Sequence, residues 1–282
     1  NGQIAHPFLA KTSAHDTRNA LEVFKLITCF INDTTLSSKA EKALADYIAQ
    51  QGISSEVLRD EIYIQLCNQT LGCKKSAEQE RAWTLMAHCL SCFSPSSTLA
   101  PFLLKYVSDK GFRSYQSVCQ HKLLQCLNLS VSRTYPPCLL EWKTTHSNTC
   151  MGLEAFFADG EKSTGQVESW TTGEDFAGNL LQAKGIHEGR HGWAVVLRDE
   201  TDTYECSGHE YVLDLISEME VPPSFPFSKA YFLVSSDRTH EMSDARRRFF
   251  QDTPHDPDLP RNMVLPIDEL SEPVPVLPRP PQ

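Results

Sequence analysis

Two histidines and a glutamate are the residues whose spacing most suggests chemistry, because His187-Glu188-x-x-His191 spells the H-E-x-x-H pattern of zinc metalloproteases. That chemistry needs both imidazoles on one face of a helix, with the glutamate as general base. Glu210 stands at a distance along the chain that would suit a third ligand. Three glycines break up the segment, at Gly185, Gly189 and Gly192. Since a strand is predicted to begin at Trp193, we expect a loop here, and a zinc metalloprotease stays a remote alternative.

Two further patterns have a suggestive spacing but the wrong context. Gly160–Gly165 opens like a phosphate-binding loop, but Gln166 stands where a lysine is needed, and the segment follows a hairpin turn instead of leading into a helix. Cys89 and Cys92 have zinc spacing, but a structural zinc site would normally need a second such pair, and His88 would point to another helix face. We therefore predict no catalytic residue, no metal ligand and no cofactor, so this segment is not expected to be an enzyme.

The composition predicts packed domains and no membrane span. The chain has 282 residues, of which 40% are apolar, and this length favours two domains. No apolar run approaches the roughly 18 residues that could cross a bilayer, and no leader is expected. The first residue is Asn1, which indicates a segment of a longer protein. Five of the ten cysteines fall in apolar-periodic stretches typical of reduced, cytosolic proteins: Cys29, Cys67, Cys89, Cys119 and Cys126.

Charge divides the chain into two unlike halves. Up to Cys150 there are 15 Lys and Arg against 12 Asp and Glu, a net charge of +3. From Met151 onward there are 11 against 24, a net charge of −13. Because the acidic half should repel polyanions, we expect no nucleic-acid partner and consider binding to membrane lipid unfavourable.

Apolar residues at steps of three and four predict a helical bundle in the first half. The first predicted helix covers Asn19–Ile31. The second is capped by Ser37 or Ser38 and stops at Gly52, and the third begins at Ser54 or Ser55 and ends near Gly72. The fourth predicted helix opens with a capping box from Ser76 to Gln79 and is stopped by Pro95. The fifth and sixth cover Thr98–Asp109 and Gln116–Leu129. The pattern breaks at Pro136-Pro137.

The second half has strand character and then a proline-rich end. In order, the pattern predicts a hairpin of Leu153–Ala158 and Glu161–Ser169 around Asp159-Gly160, a helix from Thr172 to Gly185, a strand at Trp193–Leu197, a helix at Tyr211–Glu220 and a strand at Ala230–Val234. This is the order of a ubiquitin-like β-grasp. Beyond Arg238 the Pro-rich sequence predicts a linker or disordered tail, and Pro278-Arg279-Pro280-Pro281 could alternatively dock as a polyproline ligand.

Several spaced motifs in the first half resemble the myosin-tail-homology-4 domain. They are Leu58-Arg-Asp-Glu-Ile-Tyr-Ile-Gln65, Arg81-Ala-Trp83 and Leu90-Ser-Cys-Phe-Ser-Pro95, and the segment from Ala20 to Asp33 is similar to the first helix of that family. The second half is similar to the first, ubiquitin-like lobe of a FERM domain at Phe157-Ala-Asp-Gly160, Ser169-Trp-Thr-Thr172 and Tyr211-Val-Leu-Asp-Leu215. The resemblance divides the chain into a helical domain (1–148), a ubiquitin-like lobe (149–237) and a Pro-rich tail (238–282).

The order of these parts resembles the first tail cassette of class XV myosins, with classes VII and X and related plant kinesins as alternatives. The resemblance implies a non-catalytic platform that binds cargo or scaffold proteins and is carried by an actin-based motor. Actin would be contacted only through the motor, which lies elsewhere in the parent chain. The implied location is the cytoplasm, on the cytoskeleton of actin-rich projections such as stereocilia.

The motif residues are expected to hold the fold and not to contact cargo. The set is Leu58, Arg59, Asp60, Glu61, Tyr63, Gln65, Arg81 and Trp83. Leu58 belongs to the core stripe of its helix, and the acidic side chains near the helix start suit the helix dipole. We expect Arg81 on the next helix to form a partly buried ion pair with Glu61, which would fix how the two helices pack.

A basic face offers a second functional hypothesis, namely anchoring to microtubules, which the resemblance also allows. The candidate residues are Lys74, Lys75, Lys105, Lys110 and Arg113. Solvated helix ends explain these side chains equally well. A domain of net charge +3 beside a half of net charge −13 is poorly suited to the acidic tubulin surface, so cargo binding ranks first.

Overall fold

The computed structural model describes residues 4–10, 13–127, 129, 132–157, 159–187, 193–198, 203–206 and 208–221, and the backbone of 276–278. Helices dominate up to residue 148. They are α1 (Ala14–Asn32), α2 (Ser38–Ser54), α3 (Glu56–Gly72), α4 (Ser76–Leu90), α5 (Ala100–Lys110), α6 (Tyr115–Leu127) and α7 (Leu139–Ser147). The first six correspond to the six predicted helices. α1 begins five residues earlier than expected because the Ser13 hydroxyl accepts a hydrogen bond from the Asp16 amide and caps the helix.

Gly52 does not end α2, as the sequence predicted, but lies inside that helix. A Cβ at this position would come within 2.3 Å of the Phe93 ring, so the ring occupies the place where a side chain would stand. The helix continues to Ser54, and the Gly52 carbonyl accepts a hydrogen bond from Arg59 Nε at 2.9 Å. The glycine therefore serves close packing against Phe93, a reason that helix-stop rules do not anticipate.

The predicted capping box of α4 is wrong. Helix α4 begins at Ser76 itself, with Lys75 at the N-cap position and no side-chain cap, and the Ser76 hydroxyl instead receives a hydrogen bond from Arg113 at 3.4 Å. Pro95 does not stop this helix either. It ends at Leu90, where the Ser91 amide bonds to carbonyls three and four residues back and tightens the last turn.

Helix α7 was missed because its buried face has no apolar periodicity. Its buried residues are Glu141 and Trp142, and the helix has only 9 residues. Its start is fixed by Glu141, whose carboxylate accepts a hydrogen bond from the Cys138 amide at 3.0 Å. A charged residue in the inward position therefore concealed the element.

A five-stranded mixed sheet follows, in the order β2-β1-β5-β3-β4. Its elements and their helices are β1 (Met151–Phe156), β2 (Lys162–Val167), α8 (Gly173–Ala183), β3 (Val195–Arg198), β4 (Thr203–Cys206), α9 (Val212–Glu220) and β5 (Val276–Pro278). β1 and β2 form the predicted antiparallel hairpin, and Gly160 takes a φ of 84° in its turn. Thr172 caps α8 as predicted, in a reciprocal box with Asp175.

Two strands differ from the prediction. β4 was not expected, since four residues are too few for a clear alternation. β5 lies in the segment predicted as tail, where its backbone pairs parallel with β1 and antiparallel with β3. The strand predicted at Ala230–Val234 lies outside the described residues.

Two apolar cores form, one among α1–α6 and one between the sheet, α8 and α9. Each core includes a side chain from the other half of the described chain. Trp170, which follows β2, is buried in the helical core, whereas Cys138, which precedes α7, is buried in the core of the sheet. The two halves of the described chain are therefore packed together through side chains that each contributes to the other.

Candidate binding module, its seam and its basic end

The motif on α3 binds the loops and helices around it. Arg59 donates to the carbonyl of Gly52 at 2.9 Å and to the Ser132 hydroxyl at 3.1 Å. Asp60 accepts hydrogen bonds from both the amide and the hydroxyl of Ser96, at 2.8 and 2.5 Å. Arg59 thus holds the end of α2 and the chain before α7, while Asp60 fixes the loop that leads into α5.

Glu61 is fully buried and holds the segment before α1. Its two carboxylate oxygens accept hydrogen bonds from the amides of Phe8 and Leu9 at 2.9 and 2.8 Å, and Gln65 Nε2 donates to it at 2.9 Å. Backbone amides thus satisfy the carboxylate, as a buried charge requires.

The predicted ion pair between Glu61 and Arg81 is wrong. Arg81 instead pairs with Glu41 at 2.7 Å, donates to the Phe30 carbonyl at 2.7 Å, and lies over the Phe30 ring. The Arg81 side chain therefore points from α4 towards α1 and α2. The spacing of Glu61 and Arg81 in the sequence does not indicate which way that side chain points.

The remaining motif residues lie in the helical core. Leu58 is buried, Tyr63 donates from its hydroxyl to the Phe93 carbonyl at 2.6 Å, and Gln65 donates to the Ala20 carbonyl at 2.9 Å. Trp83 stacks on Tyr106 with 6.0 Å between ring centroids. All eight motif residues make contacts within the helical bundle.

The five candidate basic residues, which we call the basic end, lie between α3 and α4 (Lys74 and Lys75), on α5 (Lys105 and Lys110) and between α5 and α6 (Arg113). Tyr106 of α5 is hydrogen-bonded to Thr70 near the end of α3 at 2.6 Å, and Arg113 reaches the start of α4 at Ser76. Three of the five form ion pairs: Lys75 with Glu78 at 3.0 Å, Lys105 with Asp109 at 2.8 Å and Arg113 with Glu80 at 3.9 Å. The positive charge of this end is therefore partly neutralised.

Arg133 forms the centre of the seam between the two halves, and sequence reasoning missed it. Its side chain is 0% exposed and makes a bidentate pair with Glu141 of α7 at 2.7 and 2.8 Å. It also donates from Nε to Asp214 of α9 at 2.7 Å and from its backbone amide to the Cys92 carbonyl at 2.9 Å. Arg133 thus joins the bundle through its backbone, and α7 and α9 through its side chain.

The charges that face each other at this seam favour the charged forms of Arg133 and Glu141. Burial alone would lower the pKa of Arg133, but the carboxylates of Glu141 and Asp214 outweigh it and raise that pKa. Burial alone would raise the pKa of Glu141, but Arg133 and Lys122 together, with hydrogen bonds from Arg133 and Ser169, lower that pKa. A sequence signal did exist, since Arg133 is the only charged residue between Lys122 and Glu141.

A second contact of the seam surrounds Lys122 of α6. Its buried ammonium donates to the hydroxyls of Ser91 at 2.7 Å and Ser169 at 2.9 Å. The next residue, Trp170, donates from its indole nitrogen to the Leu90 carbonyl at 3.3 Å and meets the Tyr211 ring edge-on. The chain between β2 and α8 is therefore anchored in the helical bundle.

A third contact of the seam surrounds Asp46 of α2. Its carboxylate lies 2.7 Å from Lys42 Nζ and 3.1 Å from His88 Nε2, and Lys42 also donates to the Pro137 carbonyl at 3.0 Å. Nearby, Glu220 of α9 accepts from the Leu139 amide at 2.6 Å. Burial lowers the pKa of His88, so this imidazole is held in its neutral form.

The residues singled out for zinc chemistry gain no support from the described part of the chain. His187 is exposed after the end of α8, while Glu188 and His191 lie outside the described residues. The described residues hold no group of three potential metal ligands. Cys89 and Cys92 are buried, and burial raises the pKa of both thiols, which disfavours the thiolate that zinc and redox chemistry need. No helix among the described residues is long and apolar enough to cross a membrane.

The comparisons with known proteins agree with these structural features. Residues 45–144 match the MyTH4 domain family. Solved MyTH4-FERM structures share the fold: that of Dictyostelium discoideum myosin VII (MF1, mutant 2) has a TM-score of 0.69 at 20% identity, with 77% of this chain and 46% of that chain covered. The human myosin 7b C-terminal MyTH4-FERM domain, solved in complex with the harmonin-a PDZ3 domain, has a TM-score of 0.69 at 18% identity, with 78% and 46% covered. The chain contains a MyTH4 domain and shares the fold of the part of the MyTH4-FERM structures that it covers.

Among full-length proteins, the chain is similar to the class XV unconventional myosins. It is 38% identical to human unconventional myosin-XV over 235 residues, which is 81% of this chain. It is 35% identical to human unconventional myosin-XVB over 222 residues, which is 77% of this chain. The match spans about 7% of the length of each of these relatives.

Proposed function

We propose that the chain is a non-catalytic module that binds cargo or scaffold proteins in the tail of an actin-based, class XV unconventional myosin. Its similarity to the two class XV myosins supports the assignment of the parent protein. The structural neighbour from human myosin 7b was solved with a PDZ domain of harmonin-a, so a module of this fold has a protein partner. The motor, its ATPase and its actin contact lie elsewhere in the parent chain.

We further propose a helical MyTH4 domain over residues 1–148, a ubiquitin-like first FERM lobe over 149–237 and a Pro-rich linker or tail over 238–282. The hairpin of β1 and β2 and the packing of α8 against β2 support the ubiquitin-like assignment, whereas the strand parallel to β1 is β5, which comes from residues 276–278 of the proposed tail. The location is the cytoplasm of actin-rich projections; we expect no nucleic-acid partner, and membrane lipid is an unfavourable one because the second half is acidic.

The observation that carries the proposal is the buried seam around Arg133. Two domains connected only by a flexible linker would present separate surfaces, whereas Arg133, Glu141 and Asp214 are buried together and fix the two halves against each other. A fixed seam gives a partner one rigid surface that spans both halves, and rigidity lowers the entropic cost of binding.

The experiment is a pull-down from a lysate of cells rich in actin protrusions, with the intact chain as bait beside an Asp214→Asn variant that weakens the seam. We expect a protein partner to be retained by the intact chain and to be lost or reduced with the variant. An exposed substitution on the same helix, Met219→Ser, serves as the matched control and should retain the partner. Retention of no partner by the intact chain would contradict the proposal.

The basic end supports a second candidate function, anchoring to microtubules, since its five basic side chains lie in and next to α3, α4 and α5. Its three ion pairs weaken the field that would attract acidic tubulin, so we rank this function below cargo binding. Cosedimentation with microtubules that falls steeply with salt would reverse the order. Zinc bound in a 1:1 ratio through His187 and His191 would revive the remote protease alternative.

A further inference from the structure

The loop that leads into α7 is held to α9 by hydrogen bonds to acidic side chains. We call residues 133–138 the seam loop. The Thr134 amide donates to the Asp214 carboxylate at 2.8 Å, and the amide of Leu139, the first residue of α7, donates to the Glu220 carboxylate at 2.6 Å. Because these acceptors are carboxylates, a negative charge added to the seam loop would face negative charge on α9.

Tyr135 of the seam loop contacts α9 at the surface. Its hydroxyl donates to the Glu218 carboxylate at 2.7 Å in a contact that is open to solvent, while its amide donates to the buried Asp214 at 3.4 Å. The hydrogen bond to Glu218 raises the pKa of Tyr135 to about 12, so the hydroxyl keeps its proton at neutral pH. Tyr135 therefore combines an accessible hydroxyl with a backbone that belongs to the seam.

An accessible tyrosine hydroxyl on a loop is the acceptor that a tyrosine kinase requires. Tyr135 precedes Pro136, and a residue before proline is biased towards an extended backbone. In phosphoryl transfer, Tyr135 Oη would attack the γ-phosphorus of ATP, and the bond from that phosphorus to the bridging oxygen of ADP would break. The phenolic proton would pass to the catalytic aspartate of the kinase.

A phosphate on Tyr135 would turn an attractive contact into a repulsive one. It would replace the hydroxyl donor by acceptor oxygens that carry a charge of about −1.5 to −2. Glu218 would face that charge directly, with Asp214 and Glu220 on the same helix. Arg133 could not compensate, because its side chain is 0% exposed and already meets two carboxylates.

We propose that Tyr135 is a tyrosine-phosphorylation site and that its phosphate loosens the seam loop from α9. The proposal rests on the proposed function for its consequence. A partner surface that spans both halves depends on the fixed seam, so the phosphate would weaken the partner's binding. The modification would thus regulate the same module by changing the rigidity of its surface.

Strand β4 carries a matched tyrosine that does not cross the seam. Tyr204 is 50% exposed, and its hydroxyl donates to the Glu210 carboxylate at 2.8 Å. This hydrogen bond also raises the pKa of Tyr204. The pair repeats the chemistry of Tyr135 and Glu218, but both of its members belong to the second half of the chain. A charge at Tyr204 therefore acts within one half and serves as the control.

The test phosphorylates two folded chains with a purified tyrosine kinase of broad specificity and ATP. Tyr204→Phe leaves Tyr135 available, Tyr135→Phe leaves Tyr204 available, and the other tyrosines are common to both chains. Mass spectrometry locates the phosphate, and NMR measures hydrogen exchange at the amides of Thr134 and Leu139. We expect phosphate at Tyr135 to accelerate exchange of both amides by at least about tenfold, because exchange follows the local opening that breaks their bonds to α9.

Two unphosphorylated variants separate the added charge from the lost hydrogen bond. Tyr135→Phe removes only the hydrogen bond to Glu218 and should accelerate exchange less than the phosphate does. Tyr135→Glu adds a single negative charge and should have an effect between these two. An acceleration in Tyr135→Phe as large as that caused by the phosphate would overturn the electrostatic mechanism.

The remaining outcomes decide the site and its consequence. Absence of phosphate at Tyr135 in the folded chain overturns the site. Unchanged exchange after phosphorylation of Tyr135, or equal acceleration by phosphate at Tyr204, overturns its effect on the seam. In the pull-down, a partner retained equally with and without phosphate at Tyr135 overturns the regulation and leaves cargo binding standing. Recovery of no partner by the unphosphorylated chain contradicts the proposed function, whereas the exchange experiment still decides whether the phosphate opens the seam.

Discussion

The seam and the basic end are both built from charged side chains, yet the same chemical groups do different work in the two places. Arg133 at the seam is 0% exposed and its guanidinium meets two carboxylates, whereas Lys105 at the basic end is 75% exposed beside Asp109. A desolvated charge must be paired wherever it is buried, while an exposed pair contributes little because water and salt screen it. Burial therefore makes the seam a structural element and leaves the basic end available to partners.

Among the substitutions considered, Arg133→Ala should destabilise the chain most. Removal of the guanidinium leaves Glu141 and Asp214 buried without their partner, and one-sided loss of a buried pair typically costs about 3–5 kcal/mol. We expect the free energy of unfolding in urea to fall by that amount, or the chain not to fold. The matched control is Arg113→Ala at the basic end, which should change stability by less than about 0.5 kcal/mol. Similar losses in both variants would contradict the distinction between the two regions.

Glu61→Gln tests a buried charge that is satisfied by backbone amides. The carboxylate accepts hydrogen bonds from Phe8 and Leu9, and the amide side chain has only one oxygen with which to replace both. We expect the free energy of unfolding to fall by about 1–3 kcal/mol, as for other hydrogen bonds to charged groups. The melting temperature should fall accordingly, and an unchanged value would mean that the segment before α1 adds nothing to stability.

Local patterns predicted the helices well and the charged seam poorly. Periodicity located the six helices from α1 to α6, and Thr172 marked the start of α8, because both signals depend on neighbours in the chain. Arg133 and Asp214 are 81 residues apart, and no local rule pairs them.

The same limit explains the specific errors. The ion pair predicted between Glu61 and Arg81 was wrong because the sequence does not show which way the Arg81 side chain points from α4. Gly52 was interpreted as a helix stop because only the tertiary fold brings Phe93 against it. The five basic residues were singled out because they lie near predicted helix ends, and their role as a binding surface stays a prediction.

Buried His88 should make the stability of the chain depend on pH. Its neighbours are Lys42 and Asp46 on α2 and Glu141 and Trp142 on α7, and burial lowers its pKa below the ordinary value of about 6.5. The unfolded chain therefore takes up a proton before the folded chain does, so the contribution of His88 to stability is present above about pH 6.5 and is lost as the pH falls below it. We expect the free energy of unfolding to fall as the pH is lowered from 7 to 5.5.

The variant His88→Gln removes this titration and should flatten the pH dependence over that range, whatever it does to stability at pH 7. Asp46 has a pKa that burial alone would raise but that Lys42 and His88 lower, so its own contribution is lost only at lower pH. An exposed control is His15→Gln, which should leave the slope unchanged. If the unfolding free energy of His88→Gln depends on pH as steeply as that of the unsubstituted chain, another group causes the acid sensitivity.

The smallest effect is expected at the basic end itself, for Lys105→Ala. Its pair with Asp109 is an exposed contact between residues four apart on α5, and such pairs are worth about 0.3–0.5 kcal/mol at low salt. The free energy of unfolding measured in urea should therefore change by no more than about 0.5 kcal/mol. This difference should vanish in 1 M salt, where the Debye length is about 3 Å. A larger or salt-independent loss would mean that Lys105 supports the fold as Arg133 does. The basic end would then be a second structural element and not a surface left free for a partner.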